Sequence, residues 1–329
     1  MADLPLTWEE LRHREGAEAS ADVPEELLGL VREEEPPKRE MRFLDRLDRP
    51  ASYERGANER GVDDALTLEG YRPPWLTSSY LPKRARTPIP RTVLHHDQRL
   101  EPAIVYPPDE RTIYNDRSYP WGCICKVRTA AGFVGSGALI GPRHVLTASH
   151  CVDWGTDAAE TIQVHLTGTT AAATAFDTIA YAFTHISGDP TVTTLDEDYA
   201  CLVLDQRLGD AFGWLGTKTY DSSWDGDDVW TSIGYPTDIA SGLQPTFILN
   251  KNMDEDEWDY GSGRAMTTSA DMMKGQSGSP MFGFWDDGFP YAVAVMSAFG
   301  NVWASGFENW CSGGSDLGRV VKQARDENP

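Results

Sequence analysis

The hexapeptide GQSGSP, residues 275–280, is the most informative stretch of this 329-residue sequence. It flanks Ser277 with Gly275 two residues before and Gly278 one residue after, which suits a tight turn with an exposed hydroxyl group. In such a turn the backbone N–H groups of Gly275 and Ser277 can converge on one oxyanion. The alternative interpretation is a flexible Gly/Ser turn without a chemical role.

A second motif, LTASHCV at residues 146–152, places His150 at the end of an apolar stretch. A neutral imidazole with a pKa of about 6.5 is what a general base near neutral pH requires. His95 and His96 lie in a Pro- and Arg-rich segment, and His144 lies in a predicted strand or turn. His150 is therefore the candidate base, although by itself it is equally compatible with an ordinary surface histidine.

The segment LDEDYACLVLD, residues 195–205, offers an acidic partner for that histidine. Asp198 directly precedes the apolar run at 199–204. A carboxylate in this position can be buried behind a histidine, where it fixes the imidazole tautomer and stabilises the imidazolium. Asp196 and Glu197 are local competitors, and a cap at the start of a strand is the alternative role of Asp198.

The three candidates follow one another in the order His150, Asp198, Ser277. Chymotrypsin-like chains carry their triad in this order, whereas α/β-hydrolases use Ser, Asp, His and subtilisins use Asp, His, Ser. The order therefore predicts a triad of the chymotrypsin-like kind, with Ser277 as nucleophile, His150 as base and Asp198 as its orienting carboxylate.

The sequence beyond residue 105 is typical of short strands separated by Gly, Asp and Pro. Strands are predicted at 123–130, 133–141, 161–168, 199–205, 229–235 and 291–298. Many short strands with regular turns favour an all-β barrel or sandwich.

Residues 105–325 resemble the bacterial glutamyl endopeptidases, the V8-like branch of the chymotrypsin clan. The resemblance is carried by DERTIYNDRSYPW (109–121), GALIGPRHVLTASHCV (137–152), DYACLVL (198–204), SIGYPTD (232–238) and DMMKGQSGSPMF (271–282). In that order, the stretches resemble the start of the mature enzyme, the histidine region, the aspartate region, a middle-barrel segment and the serine region. The histidine and serine segments are the most specific.

The resemblance implies an all-β, chymotrypsin-like fold of two six-stranded β-barrels. The first barrel is assigned to residues 105–208 with His150 and Asp198, and the second to residues 209–329 with Ser277. The resemblance also implies a serine endopeptidase that acts on polypeptides through an acyl-enzyme, with no metal ion and no cofactor. The alternative is a catalytically silent protein that uses the protease fold for binding.

The pocket that receives the substrate side chain departs from the family. A histidine and a threonine receive the glutamate there, and the matching positions here are Met296 and Met272. We predict a pocket formed by Asp271, Met272, Met296, Ser297 and Ala298 that disfavours glutamate, because thioethers do not compensate a buried charge. Two preferences stay open, namely an apolar residue in a Met-lined pocket, or Arg or Lys if Asp271 faces the pocket floor.

Two further departures concern cysteine pairing and activation. Gly135 stands where the family carries the cysteine that bridges to Cys151, so Cys123 and Cys125 are the remaining candidates for that bond. We expect the five cysteines to be mostly reduced and buried. Gln276 stands where a trypsin-type enzyme has the aspartate that pairs with a new N-terminus, so activation by that ion pair is not expected.

Residues 1–104 match only the position of the family's propeptide. Short amphipathic helices are predicted at 7–15 and 23–35, the first with a capping box formed by Thr7 and Glu10. The remainder is rich in Arg, Asp and Pro. We interpret the segment as a prosegment or regulatory extension that keeps the enzyme latent until it is cut or a regulatory protein acts on it. A partly disordered tail is the alternative.

The net charge of −22 argues against nucleic acids and anionic membranes as partners, because both require clustered Lys and Arg. We interpret the acidic surface as solubilising, and the alternative is that it steers basic substrates. The first residues show no basic segment followed by an apolar run, and no stretch of about 18 apolar residues occurs. A cytoplasmic location is therefore expected, and secretion by another route stays open.

Overall fold

The computed structural model of the chain describes residues 3–22, 24, 36–45, 52–53, 65–83, 104–165, 172–255, 258–259, 263–300 and 308–329. Its α-helices are α1 (Trp8–Arg12), α2 (Leu208–Phe212) and α3 (Ser315–Glu327). Its strands are β1 (Glu40–Phe43), β2 (Ser52–Tyr53), β3 (Thr67–Leu68), β4 (Thr112–Ile113), β5 (Ile124–Arg128), β6 (Val134–Gly141), β7 (His144–Thr147), β8 (Thr161–His165), β9 (Ala172–Ala182), β10 (Ala200–Leu204), β11 (Gly216–Lys218), β12 (Trp230–Gly234), β13 (Thr246–Lys251), β14 (Met253–Asp254), β15 (Trp258–Asp259), β16 (Gly263–Thr268), β17 (Pro280–Phe284), β18 (Pro290–Gly300) and β19 (Glu308–Gly314).

Strands β5 to β10 form a closed six-stranded barrel. They are hydrogen-bonded in the order β9-β10-β7-β6-β5-β8, and β8 pairs back to β9. The apolar side chains of these strands fill the interior, where Leu139, Leu146 and Leu202 are completely buried. Closure leaves few unpaired strand edges around this core.

The second sheet runs in the order β14-β16-β19-β18-β17-β12-β13-β4 and curls into a half-barrel. Its core includes a cluster of aromatic side chains around Trp224, Trp230 and Trp285. The predicted chymotrypsin-like double-barrel fold is confirmed, with the difference that the second sheet stays open within the described residues.

The N-terminal extension, residues 1–104, forms strand pairs with both the first barrel and the second sheet. Strand β1 pairs in parallel with β9 of the first barrel, and β3 pairs antiparallel with β11 of the second sheet. Arg39 is buried in the first barrel between Glu160 and Asp177, with Nη1 2.8 Å from Glu160 Oε1 and 3.4 Å from Asp177 Oδ2. The described part of the extension is therefore an integral layer of the fold.

Helix prediction succeeded at one end of the chain and failed at the other. The capping box of α1 is present, because the Thr7 hydroxyl accepts the Glu10 N–H and the Glu10 carboxylate accepts the Thr7 N–H. The helix predicted at 23–35 lies outside the described residues, except for position 24. Helix α3 was not predicted, although its buried Leu317 and Val321 join the main core.

None of the helices in the described ranges has the length and apolar character needed to cross a membrane.

All five cysteines belong to the described residues, and each is buried and free of a disulfide, as predicted. Neither Cys123 nor Cys125 replaces the missing partner of Cys151. A Cβ atom built on Gly135 would lie 2.5 Å from Cys151 Sγ. Gly135 therefore occupies the place from which a cysteine would reach Cys151.

Candidate active site

His150 and Asp198 form a hydrogen-bonded pair at one end of the first barrel. Strands β7 and β10 are antiparallel neighbours with Ala200 opposite Thr147, so the end of one strand lies beside the start of the other. A short 3-10 turn after β7 carries His150. Asp198 Oδ2 lies 2.6 Å from His150 Nδ1, and its Oδ1 accepts the His150 backbone N–H at 2.9 Å.

Ser297 supplies a third hydrogen bond to this pair from the second sheet. The register of β18 against β19 shifts between Met296 and Ala298, and the Ser297 hydroxyl at this irregularity donates to Asp198 Oδ2. Asp198 is completely buried. Its burial is thus compensated by three donors, two from His150 and one from Ser297.

The charges of the pair shift each other's pKa. Burial alone would raise the pKa of Asp198, but the facing His150 and the donated hydrogen bonds hold it below its ordinary value. Burial alone would lower the pKa of His150, but the adjacent Asp198 carboxylate outweighs it and raises that pKa well above the ordinary value. The arrangement favours a carboxylate that holds the Nδ1 proton of the imidazole.

The loop that carries Ser277 depends on two glycines. Gly275 has φ +91° and Gly278 has φ +81°. A Cβ atom at Gly275 would lie 2.4 Å from Tyr235 O, and one at Gly278 would lie 2.2 Å from Ser136 O. Both the left-handed backbone and the lack of space therefore require glycine.

Ser136 on β6 connects this loop to the first barrel by two hydrogen bonds. Its N–H donates to Ser277 O at 2.8 Å, and its hydroxyl donates to Gly275 O at 2.6 Å. Within the described part of the chain, the N–H groups of Gly275 and Ser277 donate to no protein acceptor. The predicted oxyanion donors are thus free to bind a ligand oxygen.

A cavity of about 800 Å³ lies between the two barrels and is lined by both His150 and Ser277. Its lining is Gly132, Phe133, Val134, His150, Gly188, Asp189, Pro190, Thr237, Met272, Met273, Lys274, Gly275, Ser277, Ser297, Ala298 and Phe299. No hydrogen bond joins the Ser277 hydroxyl to His150 in the described geometry. In free enzymes such bonds are often long and shorten only with substrate.

Of the predicted pocket residues, Met272, Ser297 and Ala298 line this cavity. Met296 is not among the lining residues, and its side chain is completely buried in the core of the second sheet. Its Sδ accepts a hydrogen bond from Ser232 Oγ at 3.3 Å. Successive strand residues point to opposite faces, so Met296 faces the core while Ser297 faces Asp198.

Asp271 is also absent from the lining of this cavity. Its buried carboxylate accepts the N–H of Tyr106 at 2.7 Å and the N–H of Glu110 at 2.9 Å. Both oxygens therefore face residues 104–111 and not the cavity.

Sequence reasoning missed several lining residues, above all Phe133 and Phe299. The Phe133 ring is half exposed and packs edge-on against the His150 ring, with centroids 6.4 Å apart. Phe133 opened a predicted strand, and Phe299 directly follows the predicted pocket residue Ala298. Their positions were therefore a usable signal, since aromatic residues beside site residues often supply an apolar wall.

Among the described residues, no group of three or more His, Cys, Asp or Glu side chains is arranged to hold a metal ion.

Comparison with known proteins gives a consistent result. Residues 135–288 match the model of the trypsin-like peptidase domain family. A glutamyl endopeptidase of Bacillus licheniformis is 27% identical over 189 residues, which cover 53% of each chain. A Bacillus subtilis protein named extracellular metalloprotease is 26% identical over 221 residues, which cover 64% of this chain and 67% of that one. The chain thus spans about half the length of the first relative.

A solved structure of a Glu endopeptidase has the same fold, with a TM-score of 0.51 at 19% identity. It covers 68% of this chain and 100% of its own. Together with the family match and the Bacillus licheniformis relative, this likeness agrees with the resemblance seen in the sequence. The chain is therefore similar to glutamyl endopeptidases in sequence and fold, and its residues 135–288 match the trypsin-like peptidase domain.

Proposed function

We propose that this chain hydrolyses peptide bonds with Ser277 as nucleophile, His150 as general base and Asp198 as the carboxylate that orients the base. The observation that carries the proposal is the hydrogen-bonded pair of His150 and Asp198 on the same cavity as Ser277. A binding protein without catalysis would not require this pair beside a serine in a glycine-flanked turn.

The geometry supports a two-step mechanism. Asp198 holds the proton on His150 Nδ1, which leaves Nε2 as the acceptor for the Ser277 hydroxyl proton. The Ser277 oxygen then bonds to the peptide carbonyl carbon, and the N–H groups of Gly275 and Ser277 bind the oxyanion. His150 gives its proton to the leaving amine, and water activated by His150 hydrolyses the acyl-enzyme.

The test is labelling with a fluorophosphonate probe combined with a peptide-hydrolysis assay. Ser277→Ala should abolish labelling and reduce hydrolysis by about 10⁶-fold while the protein stays folded. Ser279→Ala is the matched control, because Ser279 is two residues away, completely buried and absent from the cavity lining. Residual hydrolysis above about one per cent in a contaminant-free Ser277→Ala preparation would sink the assignment.

We further propose a preference for an apolar residue before the scissile bond. Met272, Ala298 and Phe299 give the cavity an apolar wall. Asp271 is engaged by two backbone N–H groups, so it offers no partner to Arg or Lys. A glutamate would lose water without a dedicated polar partner.

Matched peptides with Leu, Arg or Glu before the scissile bond test this preference through kcat/KM. We expect Leu to be the best substrate. A preference for Arg would assign the selectivity to another anionic group, for which Asp189 on the exposed rim is the candidate. A preference for Glu would contradict the assignment of Met272 as the replacement of a polar recognition group.

Latency is a separate proposal. The described part of residues 1–104 contributes no side chain to the cavity lining. A regulatory protein acting on the extension is the alternative restraint. Cutting the chain between about Arg84 and Val105 should raise the rate on small peptides if the extension restrains the enzyme. An unchanged rate would assign the extension a purely structural or partner-binding role.

The cytoplasmic location predicted from the sequence stays a prediction. The Bacillus subtilis relative is named an extracellular metalloprotease, which favours the opposite assignment. Immunodetection of the protein in cell and medium fractions decides between the two.

A further inference from the structure

Residues 104–111 run alongside the segment that leads into the serine loop. Asp271 accepts the N–H groups of Tyr106 and Glu110, and Ile104 O accepts the Met272 N–H at 3.0 Å. Asn309 Nδ2 also donates to Ile104 O at 2.9 Å. The backbone just before Arg111 is thus hydrogen-bonded to residues 271–272, which lead into the serine loop, and to Asn309 of β19.

All five N–H donors of the Arg111 guanidinium are used, although its side chain is only 1% exposed. Nε and Nη2 donate to the Asp109 carboxylate at 3.0 and 2.9 Å, and Nη1 and Nη2 donate to the Asp238 carboxylate at 3.0 and 2.7 Å. The fifth bond runs from Nη1 to Gln276 Oε1 at 3.2 Å. Two carboxylates therefore fix the guanidinium in a position that reaches the residue before Ser277.

Gln276 forms two hydrogen bonds with the backbone of Met273, within the same loop. Its Oε1 also accepts the Met273 N–H at 3.0 Å, and its own N–H donates to Met273 O at 3.0 Å. The two proposed oxyanion donors, the N–H groups of Gly275 and Ser277, lie on either side of Gln276 in the chain. A rotation of this residue would therefore turn both donors away from a shared target.

We propose that Arg111 is the positioning residue of the serine loop, holding Gln276 so that the N–H groups of Gly275 and Ser277 point to one oxyanion. The inference rests on the proposed function for its effect on rate. Because Arg111 and its partners all belong to the uncut chain, the shape of the loop does not depend on a newly cut N-terminus. Arg111 acts through Gln276 and does not line the cavity.

Removal of the guanidinium should affect the loop more than the fold. The side chains of Asp109 and Asp238 are 30% and 24% exposed, so water can solvate both carboxylates after the change. Gln276 Oε1 keeps only the Met273 N–H as a donor. Since oxyanion donors act mainly in the transition state, kcat should fall while KM changes little.

The kinetic test uses Arg111→Met, Gln276→Met and the double variant. Each single variant should lower kcat by about 10²-fold, the size typical of a lost oxyanion donor, with KM nearly unchanged. The double variant should lose little more than either single one, because both changes break the same contact. Independent, multiplying losses in the double variant would overturn the proposal, as would a kcat within about twofold of the wild type.

Lysine variants supply a matched control. Arg39 is a second buried arginine between two carboxylates, but it lies in the first barrel and does not line the cavity. Arg39→Lys should leave kcat of the folded protein unchanged. Arg111→Lys keeps the positive charge but lacks the planar guanidinium that binds both carboxylates and Gln276. Its activity should therefore lie between those of the wild type and Arg111→Met. Equal effects of the two lysine variants on kcat would reduce Arg111 to a general stabilising role and overturn the proposal.

Amide hydrogen exchange of the full chain tests the loop without using activity. In a Ser277→Ala background, Arg111→Met should accelerate exchange across residues 273–277 and leave residues 144–147 of β7 unchanged. Unchanged exchange at 273–277 would overturn the positioning role even if the enzyme is active. Conversely, an absence of Ser277-dependent labelling in the wild type would refute the proposed function and leave the exchange result standing.

Discussion

In the first barrel the site depends on charge, whereas in the second sheet it depends on backbone conformation. Asp198 is completely buried, and its pairing with His150 shifts the pKa values of both groups in opposite directions. Ser277 instead lies in a loop whose shape is set by Gly275 and Gly278, both with positive φ. The first half should therefore respond to the loss of a charge, and the second to the addition of volume.

The difference also explains why the serine loop needs more hydrogen bonds from neighbouring residues than the pair of His150 and Asp198 does. A hydrogen-bonded ion pair specifies its own geometry, because the donors and acceptors are directional. A glycine-rich loop has large conformational freedom in the unfolded chain and no side chains of its own to pack. The contacts from Ser136, Gln276 and Arg111 supply the restraint that the glycines lack.

The largest expected loss of activity tests the role of charge in the pair of His150 and Asp198. Asp198→Asn should keep the fold but lower kcat by about 10⁴-fold, by analogy with changes that disturb the histidine tautomer. Asp205→Asn is the control, because Asp205 lies at the other end of β10 and accepts the Phe176 N–H. Comparable damage from the control would mean that the histidine is oriented by another carboxylate.

The next largest expected loss of activity tests the backbone conformation of the loop that carries Ser277. Gly275→Ala should lower kcat by about 10²- to 10³-fold, because the new Cβ would displace an oxyanion donor. Gly226→Ala is the control, since Gly226 has φ +75° but its Cβ would meet nothing within 4 Å. The control should lose about 1 kcal/mol of unfolding free energy and no activity. An active Gly275→Ala variant would contradict a conformational origin of the serine site.

A smaller effect is expected where the two halves touch. In Gly135→Cys, a disulfide to Cys151 should raise the unfolding free energy of the oxidised protein by at most about 3 kcal/mol. The gain should stay below that limit, because a Cβ at Gly135 lies 3.2 Å from Cys151 Cβ, shorter than usual for a disulfide, and 3.1 Å from Ser277 O. Denaturant unfolding with and without reductant measures it. Gly135→Cys combined with Cys151→Ser should show no dependence on the reductant.

The smallest effect is a displacement of the pH profile. A base must be neutral, so the raised pKa of His150 should place the acid limb of kcat/KM above pH 6.5. The slow residual labelling of Asp198→Asn should show a limb at lower pH, because the negative charge is gone. Gly275→Ala should leave the position of the limb unchanged. A limb that moves in Gly275→Ala would contradict the division between charge and backbone conformation.

Prediction from sequence succeeded where the information is local. Short apolar runs between turn residues identified strands such as β6 and β10, and the Thr7–Glu10 pair identified α1. The chain order of His150, Asp198 and Ser277 identified the candidate triad. Each of these signals lies within one short segment or depends only on order along the chain.

Sequence alone could not predict the features that depend on backbone distant in the chain. Asp271 carries a plausible charge for a pocket, but its partners are the N–H groups of Tyr106 and Glu110, and a backbone donor has no sequence signature. Ser297 and the adjacent Ala298 both line the cavity at the register shift in β18, and such an irregularity has no clear sequence signature. The pairing of β1 with β9 joins segments more than a hundred residues apart. Parallel strands are not connected by a tight turn, so no turn motif in the sequence predicts this pairing.

The extension that gives β1 to the first barrel and β3 to the second sheet connects the two bodies covalently. The chain also passes between them from β4 to β5 and from β10 to β11. Two bodies joined by several connections explore fewer relative positions, so groups on their facing surfaces meet at a higher effective concentration. By this reasoning the extension limits the relative motion of the barrel that carries His150 and the loop that carries Ser277, without adding a contact between them.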